Sequence, residues 1–314
     1  MQIRTFDEID PGEAYRLSAT AFGWTLSEAE MRRIYRRDPR YPFGVPVYAV
    51  ERGKVLAQVV PMRFPVRLTT GIEAVGGLQG VCSLPAVWGR GYARRLMEHV
   101  HTMFREDGLR ISTLTTSTNI RGYGVYGKLG YVDLAPFYLG TRVVPKDRRP
   151  PRGLRLRKAR KEDLSRIHEL YQHEMRGLVG WTERSPREVP AAFATFPWFR
   201  GRYRVAVRGG RIVGYLRTRP ESGALMEEVV APAERDFRGI VAHMEARARH
   251  GIATVNWITC RRDATRFRRL GYRLDRISDT TMAATLTPER AARDLPMLFG
   301  GTSGRFVQYP TDDF

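Results

Sequence analysis

Apolar residues recur at helical spacing over 11–22 and 26–37, and alternate with polar ones over 1–5, 45–50 and 55–68. This pattern predicts a strand, two helices and a strand pair in the first part of the chain. A strand rich in small residues follows at 73–84, then an amphipathic helix at 91–105, an apolar, threonine-rich strand at 111–116, a short helix at 120–129 and strand structure over 131–144. The second half repeats this order, with a strand at 154–157, a helix at 161–175, strands at 203–207, 212–217 and 225–230, a helix at 233–248 and a strand at 252–259. Both halves close on one phrase, VYGKLGY at 125–131 and RFRRLGY at 266–272, each expected between a short helix and an edge strand. A period of roughly 140 residues signals duplicated domains rather than a solenoid.

The segment PKDRRPPRG at 145–153 joins charge to paired prolines that continue neither helix nor ladder. It sets expected boundaries of 1–147 for the first domain, 148–288 for the second and 289–314 for a C-terminal tail. A length of 314 residues and 42% apolar content suit two cores. No window is long and apolar enough to span a membrane, and the start MQIRTFDEID has no signal-peptide pattern, so a cytoplasmic, soluble protein is expected. Cys82 and Cys260 fall in different halves with no ligand spacing, which predicts neither metal nor disulfide. The charge of +20 raises nucleic acid as a partner. The arginines are scattered through both halves rather than gathered in a stripe, which argues against it.

Candidate chemistry concentrates at PAVWGRGYARRLM, 85–97, where a strand turns through glycines directly into a helix. Open N–H groups at a helix start, backed by the helix dipole, bind phosphate. Gly89 and Gly91 allow close backbone approach, Ala93 allows close packing, and Arg90, Arg94 and Arg95 add charge. The preceding GIEAVGGLQGVCSLP, 71–85, is a poor core strand. By alternation Glu73, Val75, Gly77, Gln79, Val81 and Ser83 share one face, a floor for a thin linear ligand such as pantetheine.

These residues resemble the GCN5-related N-acetyltransferases. The family pattern is a Q/R-x-x-G-x-G/A turn after a splayed strand, then an Asn and, seven residues on, a Tyr in a Y-x-x-L-G-F/Y phrase. Here these are Trp88 to Ala93, with Trp88 departing from the pattern, then Asn119, and Tyr126 to Tyr131. The resemblance implies an α/β fold of the α+β kind, in two tandem domains, each a mixed, mostly antiparallel central sheet flanked by helices. It further implies acetyl-CoA as co-substrate, no metal, and an amine-bearing acceptor. Val81, Cys82 and Ser83 would hydrogen-bond pantetheine, and Gly89, Arg90, Gly91, Tyr92, Ala93 and Arg94 would wrap the pyrophosphate. Asn119 and Gly122 would flank the thiol end, and Tyr126 would protonate the departing thiolate.

An ammonium of pKa about 10.4 must lose its proton before it attacks. Glu73, on the proposed channel face, is the candidate base. In the second half the turn VAPAERD, 230–236, has no glycine and sets Glu234 and Asp236 where phosphates would lie, and Phe267 stands at the Tyr126 position. That half reads as a copy that keeps the fold and has lost the cofactor. An active first copy beside a decayed second resembles the enhanced-intracellular-survival acetyltransferases, although their sterol-carrier-like third domain has no counterpart in 286–314. In that type the C-terminal carboxylate is the base, which would make Phe314 a second candidate. The reading of another class is an acyl-CoA-responsive binding module without turnover.

Overall fold

The first half contributes β1 (Gln2–Thr5), α1 (Pro11–Phe22), α2 (Glu28–Arg37), β2 (Val47–Glu51), β3 (Lys54–Leu68) and β4 (Gly71–Ser83), then α3 (Tyr92–Glu106), β5 (Ile111–Ser117), α4 (Arg121–Lys128) and β6 (Val132–Val143). The second contributes β7 (Arg155–Lys158), α5 (Leu164–Glu174), β8 (Tyr203–Arg208), β9 (Arg211–Arg219) and β10 (Leu225–Val230), then α6 (Glu234–Glu245), β11 (Ile252–Ile258), α7 (Arg261–Arg269), β12 (Arg273–Thr285) and a final turn of helix, α8 (Leu295–Leu298). The computed structural model describes residues 1–23, 25–43, 46–145, 147–186, 202–219, 224–248 and 250–309.

Local chemistry sets the helix ends. Pro11 opens α1 behind the Asp10 carboxylate, which accepts from Gly12 N–H at 2.9 Å, and Gly23 closes it at φ +71°. Ser27 and Glu30 form a reciprocal capping box at α2. The repeated LGY phrase is a helix stop of the same kind in both halves. Gly130 and Gly271 lie at φ +83° and +84°, and Tyr131 and Tyr272 donate their N–H groups back to the carbonyls of Tyr126 and Phe267, both at 3.1 Å.

All twelve strands form one sheet in the order β1-β2-β3-β4-β5-β12-β6-β11-β10-β9-β8-β7. The parallel pairs are β4 with β5 and β10 with β11; the rest are antiparallel. The strands after the LGY phrases are therefore not edges. They are exchanged: β12 pairs along β5, and β6 lies between β12 and β11. The alternation that identified these strands carries no information about their neighbours, so the exchange lies beyond it.

Pro61 and Pro65 sit inside β3, which pairs with β4 along its length but with β2 only as far as Val59. Beyond that point the odd-numbered N–H groups face away from β4. Arg63 N–H donates to Arg40 and Arg67 N–H to Trp181, so a proline at 61 or 65 costs no ladder bond. That free side takes up the stretch 180–183 from the second half, with Gly180 donating to Arg67 and Glu183 to Pro65.

Two cores flank the first-half sheet. Leu96, Val100 and Phe104 of α3 and Leu17 of α1 pack on one face with Leu114, Tyr126 and Met282; Met62, Phe64, Phe137, Leu298 and Phe306 fill the other. Leu295, Leu298, Phe299, Phe306, Val307 and Tyr309 are all buried, so the described part of 289–314 packs into the molecule. Gln308 there donates to Thr115 Oγ1 of β5 at 2.9 Å and is hydrogen-bonded to Thr281 of β12.

Candidate active site

The parallel pair β4–β5 holds together only at Gly76–Ser112 and Gly77–Thr113, after which the strands part. Leu78–Ser83 keeps its bonds to β3 on one side, and its β5-facing side has no strand partner among the described residues. A wedge lined by free backbone groups results, with Val81, Cys82 and Ser83 along one wall. Gly80, at φ +59°, marks a bulge: Gln79 lies opposite Val60 and Cys82 opposite Gln58, so one extra residue enters β4.

That bulge corrects the expected single face. Glu73 to Gln79 alternate in step, but Val81 and Ser83 are turned to the other side. Gly76 and Gly77 have a packing explanation, since a Cβ on either would lie 2.5 Å from Phe104 or 2.6 Å from Phe64. Glu73 stands ten residues before Ser83, about 30 Å of extended strand away, and is ion-paired with Arg110 at 3.1 Å and Arg290 at 3.2 Å. The fold does not bring it to the wedge, so direct proton abstraction by Glu73 is set aside. Phe314 lies outside the described residues.

At the wide end of the wedge the chain leaves β4 through a short 3-10 turn, Pro85–Val87, and enters α3 at Gly91. Gly89 and Gly91 take φ +81° and +76°, and a Cβ on either would meet nothing within 4 Å. Glycine is required here for backbone conformation, and the space before the helix is open. Gly91 offers no side-chain cap, which leaves the N–H groups of Tyr92, Ala93 and Arg94 free for an anion. The Arg94 guanidinium turns to Glu98 at 2.9 Å, and Tyr92 is buried, its hydrogen bond holding the Glu51 carboxyl below its ordinary range. Trp88, at the departure from the family pattern, donates from its indole to the Ser83 carbonyl at 3.1 Å and lies 4.8 Å beneath the Arg121 guanidinium. It joins the turn to the start of α4 across the wedge mouth.

On the opposite wall Asn119 is exposed, its N–H donating to Ser117 Oγ at 3.3 Å. One turn into α4, Tyr126 is 5% exposed, and burial pushes its phenol up to about 12. A Cβ on Gly122 would lie 3.0 Å from the Tyr126 hydroxyl, so the glycine leaves room for that oxygen. Behind it Tyr131, 6.2 Å away between ring centroids, joins His101 Nε2 at 2.8 Å and Ser112 Oγ at 2.6 Å. Burial holds the His101 imidazole down to about 4, so it stays neutral in the core. On the other face of β4 the Tyr41 hydroxyl donates to Gln79 at 2.9 Å. Tyr41 and Gln308 have no signal in the sequence, because each acts through a partner the chain supplies from far away.

Among the described residues no three His, Cys, Asp or Glu converge as a metal site, and no helix is long and apolar enough to cross a membrane. Residues 2–132 match the family model described as acetyltransferase (GNAT) domain. A search of curated proteins returns no match. Solved structures with the same fold include a GCN5-related N-acetyltransferase from Kribbella flavida, 19% identical, TM-score 0.64, over 90% of this chain and 70% of that one. A probable N-acyltransferase from Enterococcus faecalis is 14% identical with TM-score 0.65, covering 91% and 72%. Eis1 from Mycobacterium abscessus is 16% identical with TM-score 0.60, covering 91% and 74%.

Proposed function

We propose, from the match of residues 2–132 to the GNAT acetyltransferase family model, that the chain transfers an acetyl group from acetyl-CoA to a primary amine of its acceptor, with the chemistry in 1–147. The observation that carries this reading is the opening of β4 from β5 between the uncapped start of α3 and the Tyr126 phenol. Free backbone groups of Val81–Ser83 suit the amides of pantetheine, and the N–H groups after Gly91 suit a pyrophosphate. The phenol keeps its proton at neutral pH and can donate to the thiolate as the amine displaces it. General-acid help of this kind is worth about 10²- to 10⁴-fold.

Binding is tested by isothermal titration of acetyl-CoA into the full chain and into Gly91→Val. Valine at φ +76° costs about 1–3 kcal/mol of backbone strain or displaces the turn, so affinity should fall at least about tenfold. Equal affinity in the two proteins would remove the turn from the site. The commitment of Glu73 to two arginines leaves the base unassigned and favours a second reading, an acyl-CoA-responsive binding module. Tight binding with no turnover over a broad amine panel selects that reading.

A further inference from the structure

The second half has a counterpart of the anion turn. α6 follows β10 as α3 follows β4, and α7 follows β11 as α4 follows β5. Between the start of α6 and the exposed face of α7 lies a recess of about 470 Å³, walled by Arg261, Arg262, Thr265, Arg266 and Arg269 of α7, by Glu234, and by Ser303–Arg305 with Leu178. The charge has changed walls. In the first half arginine lies on the turn, at 90, 94 and 95; here the turn is acidic and five guanidinium groups come from the facing helix and the C-terminal segment.

Two of the five are already committed. Arg266 pairs with Glu174 at 2.5 Å and Glu234 at 3.2 Å, and Arg262 with Glu174 at 3.3 Å and Asp263 at 3.0 Å. Glu234 is thereby neutralised, with Arg238 at 3.0 Å on its other oxygen. Arg261, Arg269 and Arg305 have no carboxylate partner among the described residues; the Arg305 guanidinium donates to the Gly177 carbonyl at 2.8 Å. The hydroxyls of Thr265 and Ser303 donate to the carbonyls of Arg261 and Gly300, at 2.9 and 3.0 Å. Charge, rather than neutral hydrogen bonding, is what the recess offers a ligand.

We propose that this recess binds a small organic polyphosphate. Planar guanidinium forks match phosphate oxygens two at a time, and three guanidinium groups with no carboxylate partner among the described residues call for several negative charges on one ligand. The volume lies within the range of small-molecule sites.

The probe is inorganic tripolyphosphate, titrated calorimetrically into the full chain carrying Gly91→Val, which removes the anion turn of the first half from the measurement. Binding should persist there and weaken at least about tenfold when Arg261→Glu and Arg269→Glu are added, both at exposed positions that leave the core intact. A double Arg→Gln variant at the same positions should weaken it by a smaller factor in the same direction. Unchanged binding in the charge-reversed protein, or loss of binding with Gly91→Val alone, overturns the assignment. Tighter binding of a single-stranded oligonucleotide, with a steep salt dependence, overturns it in favour of an extended nucleic-acid surface. Acetyl-CoA affinity in the charge-reversed protein reports separately on the first-half site, so either reading can fail alone.

Discussion

The closing glycines of the two helix stops agree to within a degree of φ, yet the halves differ in what the strand carries beyond its parallel pairing. In the first half, β4 beyond Gly77 opens onto free backbone and a tyrosine phenol. In the second, β10 beyond Met226 carries Glu228, 1% exposed, which accepts both arms of Arg184 at 2.8 and 3.2 Å and the hydroxyl of Tyr215. Arg184 stacks over Tyr171 at 3.8 Å. One strand end has no strand partner on its β5 side among the described residues, and the other carries a buried ion pair, on the same scaffold.

The largest effect should come from breaking that ion pair. Arg184→Leu removes the bidentate guanidinium from a buried carboxylate and should cost about 3–5 kcal/mol in urea denaturation while leaving acetyl-CoA affinity unchanged. A parallel fall in affinity would show that the two halves are not independent. Tyr126→Phe should lower turnover about 10²-fold, about 2.7 kcal/mol in the barrier, at unchanged cofactor affinity. Its mirror, Phe267→Tyr, should leave turnover alone, and any gain would reopen the second half as a site.

A smaller effect separates the halves by pH. His101 stays neutral in the folded protein down to about 4, whereas an unfolded histidine takes its proton near 6.5. Between these values the unfolded state binds the extra proton, so the contribution is complete above about pH 6.5 and declines on acidification. Stability should drop by about 2 kcal/mol from pH 6.5 to 5, and His101→Gln should flatten the profile. The equivalent tyrosine of the second half, Tyr272, lies beside Glu245 rather than an imidazole and adds no such slope. The smallest change is expected for Trp88→Ala, which removes an exposed cation–π contact worth about 0.5–1 kcal/mol and should weaken acetyl-CoA binding by a few-fold at most.

What the sequence discloses follows from the range of the interactions involved. Helices, strands, the glycine turn and the LGY stop depend on residues within one turn of each other, and all are readable. Glu73 misleads because alternation assumes an unbroken strand, and the single extra residue at Gly80 reverses the face. The small residues 76 and 77 suggest ligand approach but serve Phe104 and Phe64, whose rings arrive from another helix and another strand. Gln308 meets Thr115 across 193 positions, and no periodicity spans that distance.

The exchange of β6 and β12 bears on how the molecule comes into being. During synthesis β5 emerges long before its neighbour, because Ile111 waits for Thr285 and Ser117 for Asp279. Until then β5 presents a bare edge on the side β12 will occupy, the kind of surface that recruits foreign strands. Contacts this distant in sequence also form slowly. The sheet around the wedge is thus complete only when the second half has delivered its last strand.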